Sequence, residues 1–179
     1  TLVHSDIKSA DPTIIKHVLG IEQDSDFYAC YRRAAACDKP TAKEKVNLLA
    51  YCKNSQAVFN HWLEAARNDP VLFDYVQKLH DYKTSLFGES QKTRCVTTLA
   101  GRRITAEEGM RLHAGKVFCW KIQGTVADIV NAAALELIDM PEVKTLVPLH
   151  DALYVVCTDG VKETIAATLR AHAQKIGVQ

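Results

Sequence analysis

Two aspartates lie where a carboxylate could carry chemistry. Asp6 closes a strand-like run at the start of the chain, and Asp151 lies inside an apolar run between residues 145–149 and 153–156. An ionised carboxylate in such a run is costly unless it is paired, hydrogen-bonded or bound to a metal ion. Together the two could hold magnesium, because hard divalent cations prefer oxygen ligands. The competing interpretation is structural: Asp151 suits a hairpin turn, and Asp6 suits a turn or a helix cap.

Polar side chains also recur at every fourth position in the first half of the chain. They are Lys39, Lys43, Asn47 and Tyr51. Residues at i and i+4 line one face of a helix, so these four would face one ligand. Pro40 suits the first turn of a helix, which puts the helix start there and Lys39 at its edge. A solvated lysine face is the competing interpretation.

Composition and charge exclude several classes of protein. The 179 residues are 47% hydrophobic and 24% charged, with a net charge of +1. These values exclude disordered and fibrous proteins and a globally basic nucleic-acid binder. Residues 83–121, however, hold eight basic and three acidic side chains between two acidic ends. This stretch indicates either a phosphate-facing surface or chance clustering of solvated charge.

Neither a membrane span nor a cysteine motif is present in the sequence. The apolar stretches are too short to cross a bilayer, so no membrane partner is expected. No two cysteines are close enough for a CxxC motif. We therefore expect reduced and mostly buried thiols, in the cytoplasm or an equivalent reducing compartment. The six are Cys30, Cys37, Cys52, Cys95, Cys119 and Cys157.

The pattern of apolar residues and turn signals predicts an α+β fold. Strands are predicted at 1–7, 145–149 and 153–158, and a hairpin at 93–104. Helices are predicted from Pro12 to Gly20, over 27–37, from Pro40 to Ala66, from Asp69 to about Gly88, over 116–138 and from 160 to just before Gly177.

Four segments resemble motifs of the family A DNA polymerases, the bacterial DNA polymerase I type. In the family's order they are residues 5–11 (motif A), 97–103 (the TxxGRR hairpin), 121–129 (the QGTxAD helix) and 149–153 (motif C). The stripe at 39–51 resembles the family's O helix, RxxxKxxx(F/Y)xxxY. The resemblance covers nearly the whole chain.

The resemblance implies an organisation into palm and fingers. The palm is an antiparallel sheet with packed helices, and a helical fingers region is inserted into it. Residues 1–11 and 89–179 would form the palm, and residues 12–88 the fingers. Motif A begins five residues after the start of the chain. We therefore expect the thumb to be absent from this chain. It would lie on another polypeptide or on a removed segment, or be dispensed with, and an additional polypeptide could supply a thumb or an exonuclease.

The implied activity is that of a template-directed DNA polymerase catalytic core. It would transfer a dNTP to the 3′-OH of a primer on primer–template DNA, by a two-metal mechanism. Asp6 and Asp151 would be the catalytic residues. With the backbone carbonyl of Ile7, they would hold two Mg²⁺ ions, or Mn²⁺ in their place.

The resemblance also implies two sets of binding residues. The nucleotide-binding set is Lys39, Lys43, Asn47, Tyr51, Asp11 and Tyr28, where Tyr28 replaces the histidine of the family's DxH triplet. The DNA-binding set is Arg102, Arg103, Gln123 and His150. Gln123 would read minor-groove acceptors, which occur on every base pair and so report pairing geometry rather than sequence.

Several positions depart from the family pattern. Asn47 replaces an aromatic residue, Leu48 and Cys52 replace glycines, Ala152 replaces the glutamate of motif C, and Asp11 is one methylene shorter than the usual glutamate. These changes favour an alternative, a catalytically weak or inactive nucleic-acid-binding module with the same fold. A third candidate is a relative of the single-subunit RNA polymerases, against which the QGTxAD helix argues.

Overall fold

The computed structural model describes residues 1–7, 10–21, 27–53, 56–158 and 160–178. The strands are β1 (Leu2–Asp6), β2 (Cys95–Thr97), β3 (Arg103–Thr105), β4 (Val143–Leu149) and β5 (Ala152–Cys157). The helices are α1 (Ala10–Val18), α2 (Phe27–Ala35), α3 (Lys39–Tyr51), α4 (Gln56–Ala66), α5 (Pro70–Thr93), α6 (Ala114–Leu137) and α7 (Lys162–Lys175). No helix in the described part of the chain is both long and apolar enough to cross a membrane.

The main sheet has the strand order β1-β5-β4, and both pairings are antiparallel. In the central strand, Leu153, Val155 and Cys157 are buried and alternate with exposed side chains, the period-2 pattern of a half-buried strand. The register places Asp6 opposite Ala152, and Leu149 opposite the same residue on the other side. The end of β1 and the β4–β5 turn therefore meet at one end of the sheet.

The long helix predicted from Pro40 to Ala66 is two helices, so that prediction is wrong. Cys52 leaves helical geometry, with ψ at 163°, and its N–H donates to the carbonyl of Leu48. Asp38, which the sequence reading passed over, caps α3 by accepting a hydrogen bond from the backbone N–H of Thr41 at 2.9 Å. The capped helix begins at Lys39, which puts that lysine in the first turn.

Helix α5 runs past Gly88, where the sequence predicted its end. The helix stops only at Arg94, which has the left-handed φ of 55° and donates its N–H to Ser90. Leu86 and Phe87 pack against a buried cluster that includes Val96 and Val117. Packing of this kind overrides the cost of about 1 kcal/mol for a glycine inside a helix.

The chain forms two compact units, each continuous in space but not in sequence. One contains residues 1–17, 98–102 and 122–179, with Ile14, Leu153 and Ile165 among its buried side chains. The other contains residues 18–97 and 103–121, with Trp62, Tyr75 and Phe118 among its buried side chains. This division groups residues 89–97 and 103–121 with the helical unit, whereas the resemblance assigned them to the palm.

Most of the cysteines are not buried. All six lie within the described residues and are free. Only Cys30 and Cys157 are buried, and the other four are partly exposed. The expectation of mostly buried thiols is therefore wrong.

We expect two helical glycines to respond in opposite ways to alanine. A Cβ at Gly115 would clash with the backbone carbonyls of Tyr51 and Cys52, whereas a Cβ at Gly88 would meet nothing within 4 Å. Gly115→Ala should lower the free energy of unfolding by about 3 kcal/mol or more, because backbone cannot give way as a side chain can. Gly88→Ala should raise it by about 0.5–1 kcal/mol through helix propensity. Urea denaturation measures both, and equal effects would contradict the close approach at Gly115.

Candidate catalytic site

The sheet register brings the two candidate catalytic aspartates to one place. Asp6 is the last residue of β1 and pairs with Ala152 of β5. Asp151 directly precedes Ala152, in the two-residue loop between β4 and β5. The backbone N–H of Ile7 donates to the carbonyl of Asp151 at 3.0 Å. The structure thus joins motif A and motif C by backbone hydrogen bonds, although 145 positions separate the two aspartates.

Both carboxylates are accessible to solvent. Asp6 is exposed and Asp151 is partly exposed. The expectation that a charge at Asp151 is costly without a partner is wrong. Strand β4 lies at the edge of the sheet, and Val147 and Leu149 each expose half of their surface. A charge at Asp151 therefore needs no buried partner, and both carboxylates can reach a ligand in solvent.

His150 has a backbone conformation that is uncommon for its residue type. It is the first residue of the two-residue β4–β5 loop and has a φ of +54°. Tight antiparallel hairpins favour positive φ in the loop because it matches the twist of the strands. For a residue other than glycine, this conformation costs about 1–3 kcal/mol. The turn that positions Asp151 therefore carries a histidine where a glycine would be relaxed.

The donor atoms at this end of the sheet suit magnesium. The carboxylates of Asp6 and Asp151 are oxygen ligands. The carbonyl of Ile7 accepts one hydrogen bond, from Ala10 N–H at 3.1 Å, and has a second lone pair. In the described part of the chain, no group of three or more His, Cys, Asp and Glu side chains could hold a metal ion. A magnesium ion here would need water or substrate oxygens besides the two carboxylates, which is usual for this cation.

The TxxGRR hairpin and the QGTxAD helix form one hydrogen-bonded network. The guanidinium of Arg102 donates to the carbonyl of Gly124 at 3.0 Å and to the carboxylate of Asp128. The hydroxyl of buried Thr125 accepts from the backbone N–H of Leu99 at 3.0 Å. These bonds fix the hairpin loop against α6, beside the exposed Gln123.

The placement of Arg102 changes its expected role. Its side chain is 49% exposed, yet its donors are directed at Asp128, whose side chain is only 12% exposed. The other Asp128 oxygen, Oδ2, is buried with no hydrogen-bond partner among the described residues. Losing Arg102 would leave a mostly buried carboxylate without its cation, which is costly. Arg102 therefore holds the helix that carries Gln123, and contact with DNA stays a prediction for it.

Arg103 has no comparable tie to α6 in the described residues. It is exposed, and its guanidinium donates to the Sγ of Cys95 at 3.4 Å. That hydrogen bond and one from Thr93 lower the pKa of the Cys95 thiol. Strands β2 and β3 pair over only three residues each, and Arg103 lies on their exposed surface. A phosphate could therefore compete with the Cys95 sulfur for its guanidinium.

The α3 stripe is exposed at one end and packed at the other. Lys39 and Lys43 are exposed, and Asn47 is partly exposed. Tyr51, the last residue of α3, packs against Phe118 with ring centroids 6.1 Å apart. A helix N-terminus favours anions, and here two lysines add to that field. The lysine end of α3 is therefore the part suited to phosphate.

The structure gives less support to the remaining predicted nucleotide contacts. Tyr28 is only 7% exposed, because its ring lies in the core. Burial of this kind leaves it little surface for a phosphate. Asp26, the first residue of the triplet to which Tyr28 belongs, lies outside the described residues. Asp11 lies in the first turn of α1 and is partly exposed.

Sequence reasoning missed three residues that hold the candidate site. Asp38 starts α3, Thr98 accepts from the N–H of Arg102 at 3.1 Å, and Asp128 anchors the guanidinium of the same arginine. The signal for Asp38 was present, since an Asp at the start of a Pro-containing first turn is a common cap. The Arg102–Asp128 pair spans 26 positions, and nothing local predicts it.

One comparison with known proteins gives a match. No family model and no curated protein sequence matches this chain. Among solved structures, the POL domain of Pol1 from M. smegmatis, in complex with DNA primer-template and dNTP, aligns with a TM-score of 0.69 at 18% identity. The alignment covers 98% of this chain and 36% of that one. The chain therefore has a polymerase-like α+β fold, which confirms the predicted fold class.

Because of the positive φ at His150, we expect glycine to be more stable than alanine at this position, the reverse of their order inside a helix. His150→Gly should be about 1 kcal/mol more stable than His150→Ala, since only glycine adopts this φ without steric cost. At His61, an exposed position inside α4, the order should reverse by a similar amount. Urea denaturation of the four variants checks both pairs. The same order at both positions would show that the turn is not strained.

The two neighbouring arginines should differ in their contribution to stability. Arg102→Met should lower the free energy of unfolding by about 2 kcal/mol, because Asp128 and the carbonyl of Gly124 lose their donor. Arg103→Met should change it by less than about 0.5 kcal/mol, as for other surface substitutions. Equal losses in urea denaturation would contradict the structural role of Arg102.

Proposed function

We propose that this chain is the catalytic core of a template-directed DNA polymerase of the family A type. It would transfer a dNTP to a primer 3′-OH on primer–template DNA. The observation that carries the proposal is the pairing of β1 with β5, which places Asp6 of motif A beside Asp151 of motif C. The supporting comparison is a polymerase-domain fold over 98% of the chain.

In this mechanism the two aspartates hold the metal ions. The carboxylates of Asp6 and Asp151, with the carbonyl of Ile7, would bind two Mg²⁺ ions, or Mn²⁺ in their place. Ions bound by these residues would supply positive charge that offsets the negative charge of the triphosphate. The protein contributes little covalent chemistry and mainly positions the reacting groups. Ala152 cannot ligate a metal ion, so the ligand set of motif C is reduced to Asp151.

Helix α3 would bind the incoming nucleotide. The exposed ammonium groups of Lys39 and Lys43 would pair with the triphosphate. Asn47 and Tyr51 would face the sugar and base, and Asp11 belongs to the same proposed nucleotide-binding set. Asn47 offers no aromatic face for stacking, so base and sugar selection would be weaker than with an aromatic residue.

DNA would be bound along the hairpin and α6. Gln123 is exposed and would read minor-groove acceptors of the primer–template pair. Arg103 and His150 are exposed and would contact the DNA backbone and the primer end. The net charge of +5 over residues 83–121 favours such phosphate contacts. Arg102 would act mainly through the α6 network that holds Gln123 in place.

The proposal assigns residues 1–11 and 89–179 to a palm and residues 12–88 to fingers. The fold supports a sheet-bearing unit with the two aspartates and a helical unit with the α3 stripe. A thumb or an exonuclease from a further polypeptide, and a reducing compartment, are part of the same proposal.

A nucleic-acid-binding module with little catalysis is the second candidate. Ala152 stands where motif C usually supplies a glutamate, so this position offers no second carboxylate. The alanine is itself buried, at 4% exposure. Such a module would bind primer–template DNA and extend it slowly or not at all.

A primer-extension assay with Mg²⁺ separates these candidates. We expect template-dependent dNTP addition that EDTA abolishes. Asp6→Asn and Asp151→Asn should each lower kcat/KM by about 10³-fold or more, because the metal ligand is lost. The control is Asp139→Asn, an exposed aspartate just after α6, which should stay within about twofold of wild type.

Three outcomes would contradict the proposal. DNA binding without extension in Mg²⁺ or Mn²⁺ would favour the binding module. Extension that survives both aspartate substitutions would assign the chemistry to other residues or to a contaminant. Preference for ribonucleotides over dNTPs would favour the RNA polymerase relative.

A further inference from the structure

Lys83 is a buried lysine at the centre of the helical unit. Lys83 is 1% exposed. Among the described residues, no other Lys, Arg, Asp or Glu is buried. Lysines are almost never fully buried unless they are paired. In the described part of the chain, no carboxylate lies within ion-pair distance of it. The mechanism proposed above does not use this group.

The partners of Lys83 are backbone carbonyls at the end of α3. Its Nζ donates to the carbonyl of Leu49 at 2.8 Å and to that of Cys52 at 3.2 Å. The last turn of any helix leaves carbonyls without intrahelical donors. The N–H of Cys52 satisfies Leu48, and the lysine satisfies two more. Lys83 therefore caps α3 from a neighbouring helix, α5.

The charge of Lys83 suits this position but is costly to bury. Burial lowers the pKa of its amine to about 8. The amine thus remains mostly protonated at pH 7 and lies at the negative end of the α3 dipole. A buried methionine would pack without that penalty, although it would leave the two carbonyls unpaired. Lys83 therefore stabilises the end of α3 through hydrogen bonds rather than through hydrophobic burial.

Two further contacts converge on the same point. Gly115 of α6 lies so close to the carbonyls of Tyr51 and Cys52 that no side chain fits between them. Phe118, one turn further along α6, packs on the ring of Tyr51, and its ring centroid lies 6.0 Å from the Nζ of Lys83. The end of α3, and Tyr51 with it, is held on several sides.

We propose that Lys83 is a positioning residue for nucleotide binding, which fixes Tyr51 and the C-terminal turn of α3. This inference rests on the proposed function of α3. The amine holds the backbone on both sides of Tyr51, and Lys43 lies two helical turns earlier on the same face. Fixing one end of a rigid helix fixes the distance and direction from Tyr51 to the lysines. Lys83 thereby sets the geometry in which the base-side and phosphate-side groups meet one nucleotide.

The test compares Lys83→Met with Lys78→Met. Lys78 is on the same helix, is partly exposed and pairs with Asp74 at 2.9 Å, so it controls for loss of a lysine from α5. In Lys83→Met we expect the amide of Cys52 to exchange hydrogen about tenfold faster or more at pH 7, with α7 unchanged, because the turn opens locally. In primer extension, KM for dNTP should rise about tenfold, with a much smaller change in kcat, since the lost interaction acts on binding. Lys78→Met should match wild type in both measurements.

Lys83→Gln keeps a shorter neutral donor and guards against a methionine variant that fails to fold. We expect its exchange rate and its KM to lie between those of wild type and Lys83→Met. Wild-type exchange and KM in whichever of the two variants folds would overturn the inference. Faster exchange with an unchanged KM would reduce Lys83 to a purely structural role and would also overturn it. If the wild-type protein extends no primer, the proposed function is wrong. The exchange rate of the Cys52 amide in Lys83→Met, compared with wild type, then still decides whether Lys83 holds the end of α3.

Discussion

The antiparallel register between β1 and β5 is the constraint on which the candidate site depends. It sets Asp6 opposite Ala152, and the bond from the N–H of Ile7 to the carbonyl of Asp151 continues the pairing past the strand. Side chains on a strand alternate between faces, so a slip of one residue would turn Asp6 to the opposite face of the sheet. The buried Val3 of β1 opposes such a slip, because turning the strand over would bring its side chain into solvent. A core side chain of β1 thereby fixes the face on which the exposed carboxylate of Asp6 lies, although that carboxylate contributes nothing to the core.

A hydrogen-bonded network joins the hairpin loop to α6. The hairpin loop and α6 are joined by Arg102, Asp128 and Thr125, all of which belong to the motifs that the sequence displayed. Motif residues are often assigned to ligand contacts because their types suit the ligand. Here the guanidinium of Arg102 is directed at a carboxylate of its own chain, and Gln123 lies exposed beside the network. Part of a motif can thus maintain the local fold, while a neighbouring motif residue stays exposed.

The sequence predicted elements and their order better than it predicted contacts. Local signals located every strand and the hairpin, because alternation and turn residues act over a few positions. They failed where a distant segment decides: α5 continues through Gly88 since Leu86 and Phe87 find partners beyond the helix. The cost of a charge at Asp151 was overestimated because an apolar run does not reveal that β4 lies at a sheet edge. The cap from Lys83 to α3 spans 34 and 31 positions and has no local signature.

The close approach at Gly115 has a mechanical consequence for α3. The backbone at Gly115 and the buried amine of Lys83 both confine the last turn of this helix. The helix is therefore fixed at its C-terminal end. Lys39 lies twelve residues from Tyr51, about 18 Å along the axis at 1.5 Å per residue. A tilt of about 10° around the anchored end would carry Lys39 by about 3 Å and leave Tyr51 almost where it was. Any rotation of α3 about its fixed end therefore displaces the lysines at its N-terminus far more than it displaces Tyr51.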